Sequence, residues 1–404
     1  MQDKLSRWLA KDEIDYRLLV PMLLLAFGCQ VFISLIRVTT SYRIVEIGLS
    51  EIWIGIIAGA YAIVPIFMAV WVGRYVDRGN DCTAAKIGSW IFVASAAGFY
   101  FTPAGAYHML AANILMGVAF LFNAIALQVI CVRTATAITS REAVIGHYMV
   151  ANALGQGLGP LMVSWVGGSA RIPPTEPLFG LAVIVALLCL PVAYSIRPDP
   201  DAAGRTSSAP RPSISDLLHI PGLPTMMVAS IIIITAQDLI SIYLPLWGTE
   251  RGVSVAVVGL MLATRSIASV ISRLLYTPIV RLVGRVRLTV LTMASAALAY
   301  ALIAVPVPLF IVFIAIAFSG FGLGIAATLS ISNTVGLAPA YVRGTVLSLR
   351  ITGNRVGQII MPLMAGMVAA AAGAGGIFVV VGILLAASAA SVQAARQKIE
   401  AAGR

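Results

Sequence analysis

The sequence predicts an all-α membrane protein: twelve transmembrane helices arranged as two pseudo-symmetric six-helix bundles. Three observations carry this. Of 404 residues, 60% are hydrophobic and 11% charged, with a mean hydropathy of +0.97; a soluble domain is about half apolar and a quarter charged. Apolar stretches recur twelve times, at 18–45, 51–74, 84–103, 107–132, 143–166, 178–196, 223–247, 253–280, 287–305, 308–334, 346–371 and 376–394. Each is near the ~20 residues that a spanning helix needs, and the ~10-residue alternating pattern of barrel strands is absent. Finally, the segment 141–162 returns as 343–364: Arg141, Val144, Asn152, Gly155, Gln156, Pro160, Leu161 and Met162 match Arg343, Val346, Asn354, Gly357, Gln358, Pro362, Leu363 and Met364. A second echo pairs Glu46, Gly48, Ser50 and Gly55 with Glu250, Gly252, Ser254 and Gly259. Two matched membrane bundles are a common way to build a site that opens alternately to either side.

The elements follow in order. The first 17 residues carry mixed charge (Asp3, Lys4, Arg7, Lys11, Asp12, Glu13, Asp15) and show no cleavable signal pattern. Spans 1–6 fall within residues 1–196 as an N-terminal bundle. Residues 197–222, rich in Pro, Ala, Ser and Gly, are a polar cytoplasmic linker. Spans 7–12 fall within 223–404 as a C-terminal bundle. The turns around Gly48 and Gly252 are short, so the flanking helices are antiparallel neighbours.

The net charge of +11 reflects topology. With the N-terminus cytoplasmic, nineteen Lys and Arg lie in cytoplasmic segments, and the outer loops carry only Arg43, Arg171 and Arg251. This is the positive-inside pattern. It places both termini in the cytoplasm, in the plasma (inner) membrane of a bacterium, and removes the reason to invoke nucleic acid. Cys29, Cys82, Cys131 and Cys189 lack metal-ligand spacing and read as small buried apolar residues. No metal, cofactor, phosphate loop or nucleophile–base pair is evident, so neither an enzyme nor ATP-driven transport is expected.

After span 2 stands Gly73-Arg74-Tyr75-Val76-Asp77-Arg78-Gly79-Asn80. It resembles the G-x-x-x-D-R-x-G-R loop signature of the major facilitator superfamily, and with the twelve spans and 6+6 repeat the resemblance covers the whole chain. The resemblance implies a gate in which Gly73 lets span 2 pack closely while Asp77, beside Arg78, sits at the positive N-terminal end of span 11, near Gly344, and latches the cytoplasmic side. Asn80 replaces a frequent basic residue. The second copy, Thr277, Arg281, Gly284 and Arg285, has lost the acid. Gly155, Gly159 and Pro160 in span 5 resemble the G-x-x-x-G-P motif of the antiporter branch and allow close packing and a bend. Val163 and Ser164 stand where that motif has further glycines, and Asn113 stands four residues before Gly117 where exporters often carry Arg.

Charges inside the membrane are the candidate chemistry. Five arginines lie within the spans, Arg37, Arg265, Arg273, Arg350 and Arg355, against one acid, Asp238. Each costs ~2.5–3.5 kcal/mol at a helix centre on insertion scales. Arg273 and Arg350 are near helix ends and read as snorkelling. Arg37, Arg265 and Arg355 are deeper. Asp238 has two readings: a buried partner of Arg265 or Arg37, or a proton carrier. One acid cannot neutralise three arginines, so a substrate carboxylate or phosphate is expected at the remainder. The candidate binding residues are Arg37, Tyr61, Gln237, Asp238, Arg265, Asn354, Arg355 and Gln358. Tyr61 is the repeat equivalent of Arg265; Asn354 and Gln358 extend a polar stripe from Arg350. Asn152 and Gln156 read as polar glue between helices.

The expected function is secondary active transport of a small organic solute with an anionic group, by alternating access, with H+ or Na+ as a coupling ion, from a monomer in the lipid bilayer. Proton-coupled efflux of amphipathic drug-like compounds is the alternative within transport. A non-transporting membrane sensor of the same fold is the alternative of another class.

Overall fold

The computed structural model describes residues 14–101, 105–134, 138–197, 219–220, 222–337 and 343–402. Most of the linker, the Arg141 and Arg343 side chains, and the N-terminal tail before Ile14 lie outside what is described. Among the described residues the chain forms long helices: α1 (Tyr16–Glu46), α2 (Ile52–Tyr75), α3 (Asp81–Phe101), α4 (Ala106–Arg133), α5 (Ile138–Gly167), α6 (Thr175–Ser195), α7 (Leu223–Glu250), α8 (Val255–Leu274), α9 (Arg285–Ala304) and α10 (Leu309–Leu337). The helical stretch Arg343–Ala402 is broken at Gly373 (φ 69°, ψ 178°) into α11 (343–372) and α12 (374–402). A π-helical turn, Val76–Asn80, joins α2 to α3, and an eight-residue helix, Tyr276–Val283, joins α8 to α9. Nine described stretches are long and apolar enough to cross a membrane, and two of them, of 50 and 47 residues, each hold two helices separated at Gly79 or Gly373. Helix α5 is not among the nine; Asn152, Gln156 and its glycines make it more polar.

The repeat has a geometric meaning. Six of the seven positive-φ glycines among the described residues come in pairs: Gly48 (67°) with Gly252 (68°), Gly79 (86°) with Gly284 (82°), and Gly168 (50°) with Gly373 (69°). Each pair stands at equivalent breaks between helices in the two halves, with a positive φ that a Cβ would oppose. The echoed acids also do the same work twice. Glu46, at the end of α1, accepts from Thr175 Oγ1 (2.6 Å) at the first residue of α6. Glu250, at the end of α7, accepts from the Ala374 N–H (3.0 Å) at the start of α12. Each carboxylate favours the positive end of the last helix in its half.

Within the first half, α5 packs on α1 through Gly155 and Gly159, where an added Cβ would strike the backbone of Phe27, Val31 and Leu35. Ser34 Oγ donates to the Gly155 carbonyl at 3.1 Å across that contact. Equivalent close approaches recur between α4 and α2 and between α10 and α8: Gly117 lies on the Tyr61 carbonyl, and Gly320 lies on the Arg265 carbonyl. Small residues replace bulk where helices must touch without a hydrophobic driving force. Gly117→Val and Gly320→Val are each expected to lower the melting temperature in detergent, at a cost of ~1–3 kcal/mol from overpacking. Gly146→Ala, which has open space around its Cβ position, is expected to leave it unchanged.

The two halves meet along α1–α7, α2–α11 and α5–α8. The contact is pseudo-symmetric: Gly55 of α2 faces the Pro362 carbonyl of α11, and its repeat mate Gly259 of α8 faces the Pro160 carbonyl of α5. These contacts lie away from the ends that carry the termini. There the main chain itself closes the gap: the N–H groups of Val255 and Ala256, at the start of α8, donate to Ala170 and Gly168 of the other half (2.9 and 3.0 Å). Ser164 Oγ adds a bond to the Ala256 carbonyl (2.9 Å), and Ser41 Oγ donates to the Ile242 carbonyl (2.7 Å). The two main-chain bonds satisfy helix N-terminal donors that would otherwise lack partners.

No contact of the expected latch near the termini is found among the described residues, which exclude residues 338–342 and the side chains at the start of α11. Gly73 has no atom within 4 Å of where its Cβ would stand, so it makes no close packing contact. Asp77 and Arg78 are exposed, with no ion pair or hydrogen bond found among the described residues. The physical reason is that α2 meets α11 through Gly55, Gly59 and Gly366, in the halves remote from Asp77. The buried acid at this end is instead Asp81 (3% exposed), paired with Arg133 at 2.8 Å. Arg133 also donates to the Arg197 carbonyl (2.7 Å), so one guanidinium joins the start of α3, the end of α4 and the second residue after α6. All four cysteines are free and buried.

Candidate functional site

Midway along α7 the sequence Gln237-Asp238 turns toward both halves. Asp238 is the hub. Its Oδ1 accepts from Arg37 Nη1 of α1 at 2.7 Å, and its Oδ2 accepts from Gln358 Nε2 of α11 at 2.6 Å. Of the two partners open to it in the sequence, the structure selects Arg37. The side chains are 15% and 22% exposed, so the pair is largely desolvated and its Coulomb gain is opposed by burial cost. Gln358 then passes the contact on: its Oε1 accepts from Arg355 Nη1 at 2.9 Å. These groups form one chain, Arg37–Asp238–Gln358–Arg355, running across the junction of the halves.

Two aromatic rings support the ends of that chain. The Arg37 guanidinium carbon stands 4.7 Å from the centre of the Tyr61 ring, and that of Arg355 stands 5.2 Å from the Phe120 ring. The rings themselves are 5.8 Å apart. Each cation thereby gains an attraction of ~0.5–2 kcal/mol from a π-face. Tyr61 is positioned by Gly117, three residues before Phe120 on α4, and by Asn113, whose Nδ2 donates to the Ile57 carbonyl at 2.6 Å.

Arg265 approaches α7 from α8. It is 5% exposed; Nη2 donates to Ser241 Oγ at 3.1 Å, and Nε has no partner among the described residues. Ser241 in turn donates to the Gln237 carbonyl (3.4 Å), and Gln237 Nε2 donates to the Leu323 carbonyl of α10 (2.8 Å). Ser241 is one turn from Asp238, so both side chains share a helix face.

The remaining candidates divide. Asn354 does not join the network: its Oδ1 accepts from Ser230 Oγ at 3.0 Å, tying α11 to α7 one turn nearer the termini. Arg350 is buried (5% exposed) and donates to Ser330 Oγ of α10 at 2.8 Å, so it points into the second half rather than to a membrane surface. Arg273 bridges halves by donating to the Met149 carbonyl of α5 (2.7 Å). Both find their nearest acceptors inside the protein, which is why neither snorkels. Gly155, Gly159 and Pro160 lie in the α1–α5–α8 wedge: the first two face α1, while Gly157 faces Ser266 and the Pro160 carbonyl faces Gly259 on α8. Gln156 reaches Gln30 of α1 (3.5 Å) and Asn152 folds back on the Tyr148 carbonyl (2.8 Å). Phe120, Ser241 and the Asp81–Arg133 pair are not among the sequence candidates. Ser241 could be found as the next polar residue on the Gln237–Asp238 face; nothing local marks Phe120.

A polytopic helical bundle of two like halves with a charged polar network at their junction is an architecture that membrane transporters use. The Major Facilitator Superfamily model matches residues 22–254 and 226–396, and the chain belongs to that family. The fold is similar to that of the nucleoside transporter NupG, with a TM-score of 0.74, 13% identity, and coverage of 94% of this chain and 98% of that one. A D-xylose-proton symporter is similar with a TM-score of 0.74, 14% identity and coverage of 94% and 96%. The human organic anion transporter MFSD10 (TETRAN) gives a TM-score of 0.68, 14% identity and coverage of 93% and 99%. No curated protein matches by sequence.

Proposed function

We propose that this protein is a secondary transporter that moves a small organic solute with an anionic group by alternating access between residues 1–196 and 223–404, joined by a cytoplasmic linker. The single observation that carries the anion is the bonding of Arg355 and Arg265. Both are guanidinium groups inside the bundle, and both donate to neutral acceptors, Gln358 and Ser241. The one acid nearby, Asp238, is taken by Arg37. A cation that stays protonated in a low-dielectric site is stabilised by an anionic partner, and the planar fork suits carboxylate or phosphate. Asp238, Gln237 and Tyr61 shape the site, and Asn354 supports α11 beside it.

The positive-inside pattern supports both termini in the cytoplasm of a bacterial plasma-membrane protein. On that orientation the contacts of Gly55, Gly259, Val255 and Ala256 between the halves lie toward the outer face. Rocking the halves would break the α5–α8 and α2–α11 contacts and let Asp77 approach the start of α11. The solute is driven by its own gradient or by a coupling ion, H+ or Na+. The fold serves nucleoside, sugar and organic-anion carriers alike, so the solute class rests on the side chains. The test is a melting-temperature screen of purified protein against small carboxylates, phosphate esters and drug-like amphipathic cations. Anions are expected to raise the melting temperature. Stabilisation by the cations alone would replace this reading with drug efflux.

A further inference from the structure

We propose that the solute carries two negative charges, one read at Arg355 and the other at Arg265. This rests on the anion reading above and specifies its class. The junction network holds Arg37, Arg355 and Arg265 against Asp238, and no second carboxylate among the described residues reaches any of the three. Guanidinium groups do not deprotonate in proteins. The network therefore carries a net charge of +2, three arginines against one aspartate, at the middle of the bundle, where uncompensated charge is costly. One carboxylate would leave half of that excess; two would remove it.

The geometry separates the two positions. Arg355 is tied to α7 through Gln358 at Asp238, and Arg265 is tied to α7 at Ser241, three residues along. Side chains at this spacing stand ~5–6 Å apart at Cβ on one helix face. The two unneutralised cations thus approach the same face of α7 from different helices, α11 and α8, with the aromatic pair Tyr61–Phe120 behind Arg355. Arg265 is the more telling of the two. It is buried, its Nε has no partner among the described residues, and its backbone is fixed by the Gly320 contact. A short dicarboxylate would place one group at each cation; a phosphate monoester would place both charges on one group between them.

The experiment compares each dianion with its own monoanionic ester on purified, full-length protein. Malonate, succinate and glutarate are titrated beside their monomethyl esters, and glycerol 3-phosphate beside glycerol methyl phosphate diester, with binding read by calorimetry or melting shift. At least one dianion is expected to bind ten-fold or more tightly than its ester, and the chemical class of that dianion identifies the group. In Arg265→Gln the preference is expected to collapse, with dianion and ester within threefold. If that variant does not fold, Arg355→Gln serves for the same collapse. Dianion and ester binding equally to the unaltered protein, or a preference that survives in the variant, overturns the second charge and leaves the anion reading standing. If no anion of either kind binds, the anion reading falls and this inference with it.

Discussion

Arg355→Gln is expected to cut transport of the anionic solute by roughly 10- to 150-fold, the equivalent of the ~1.5–3 kcal/mol of a hydrogen bond to a charged group. The side chain donates to Gln358 and stacks on Phe120, and no carboxylate among the described residues shares it. On the proposed reading, substitution removes an interaction with the solute more than one that holds the protein together. The loss should appear mainly in KM, measured as uptake into liposomes over a range of solute concentrations, with little change in melting temperature. A variant that transports at the unaltered rate with unaltered KM removes Arg355 from the site.

Asp238→Ala is expected to be the most damaging single substitution for stability. It strips Arg37 of its carboxylate and Gln358 of its acceptor at once. Leaving one member of a largely buried pair without its partner costs ~3–5 kcal/mol. The cost should fall on the junction, because Arg37 belongs to α1 of the first half and Asp238 to α7 of the second. Arg37→Leu/Asp238→Leu is expected to recover most of that stability, to within ~1–2 kcal/mol, because no charge is then stranded. Melting temperatures of the unaltered protein, Arg37→Leu, Asp238→Leu and the double variant form a double-mutant cycle. If the double variant is as unstable as Asp238→Ala, the pair contributes through its surroundings and not as a pair.

The positions of particular residues show what is legible in one dimension. The hub Asp238 and the three deep arginines stand out in the sequence because charge in an apolar span is rare and expensive. Tyr61 is found through its repeat relation to Arg265, and the structure gives both the same support, a glycine of the neighbouring helix pressed against the carbonyl. Phe120 carries no such mark, since one aromatic ring in an apolar helix looks like any other. The pairing of Asp238 is open in the sequence because Arg37 and Arg265 can both serve it there; helix rotation and crossing select Arg37. Asn354 and Arg350, placed by periodicity on the stripe with Gln358, turn to Ser230 and Ser330 instead. Their partners belong to other helices, α7 and α10.

The loop signature illustrates the same division. The close packing expected of Gly73 is not found among the described residues, and the left-handed position is Gly79, with φ 86° where Gly284 has 82° in the second half. No partner of Asp77 is found among the described residues, and the contacts Gly55–Pro362 and Gly259–Pro160 hold the halves together at the opposite end.

By itself the sequence determined that this chain crosses a membrane many times, as two like halves, with more positive than negative charge in its spans. Those properties follow from local composition and from a repeat, both of which survive in one dimension. Only the tertiary structure decided which arginine the single acid neutralises, which two are left to neutral partners, and which end of the molecule is sealed. These depend on distances between helices far apart in the chain, and such distances are set by glycine contacts and packing angles that no single segment encodes.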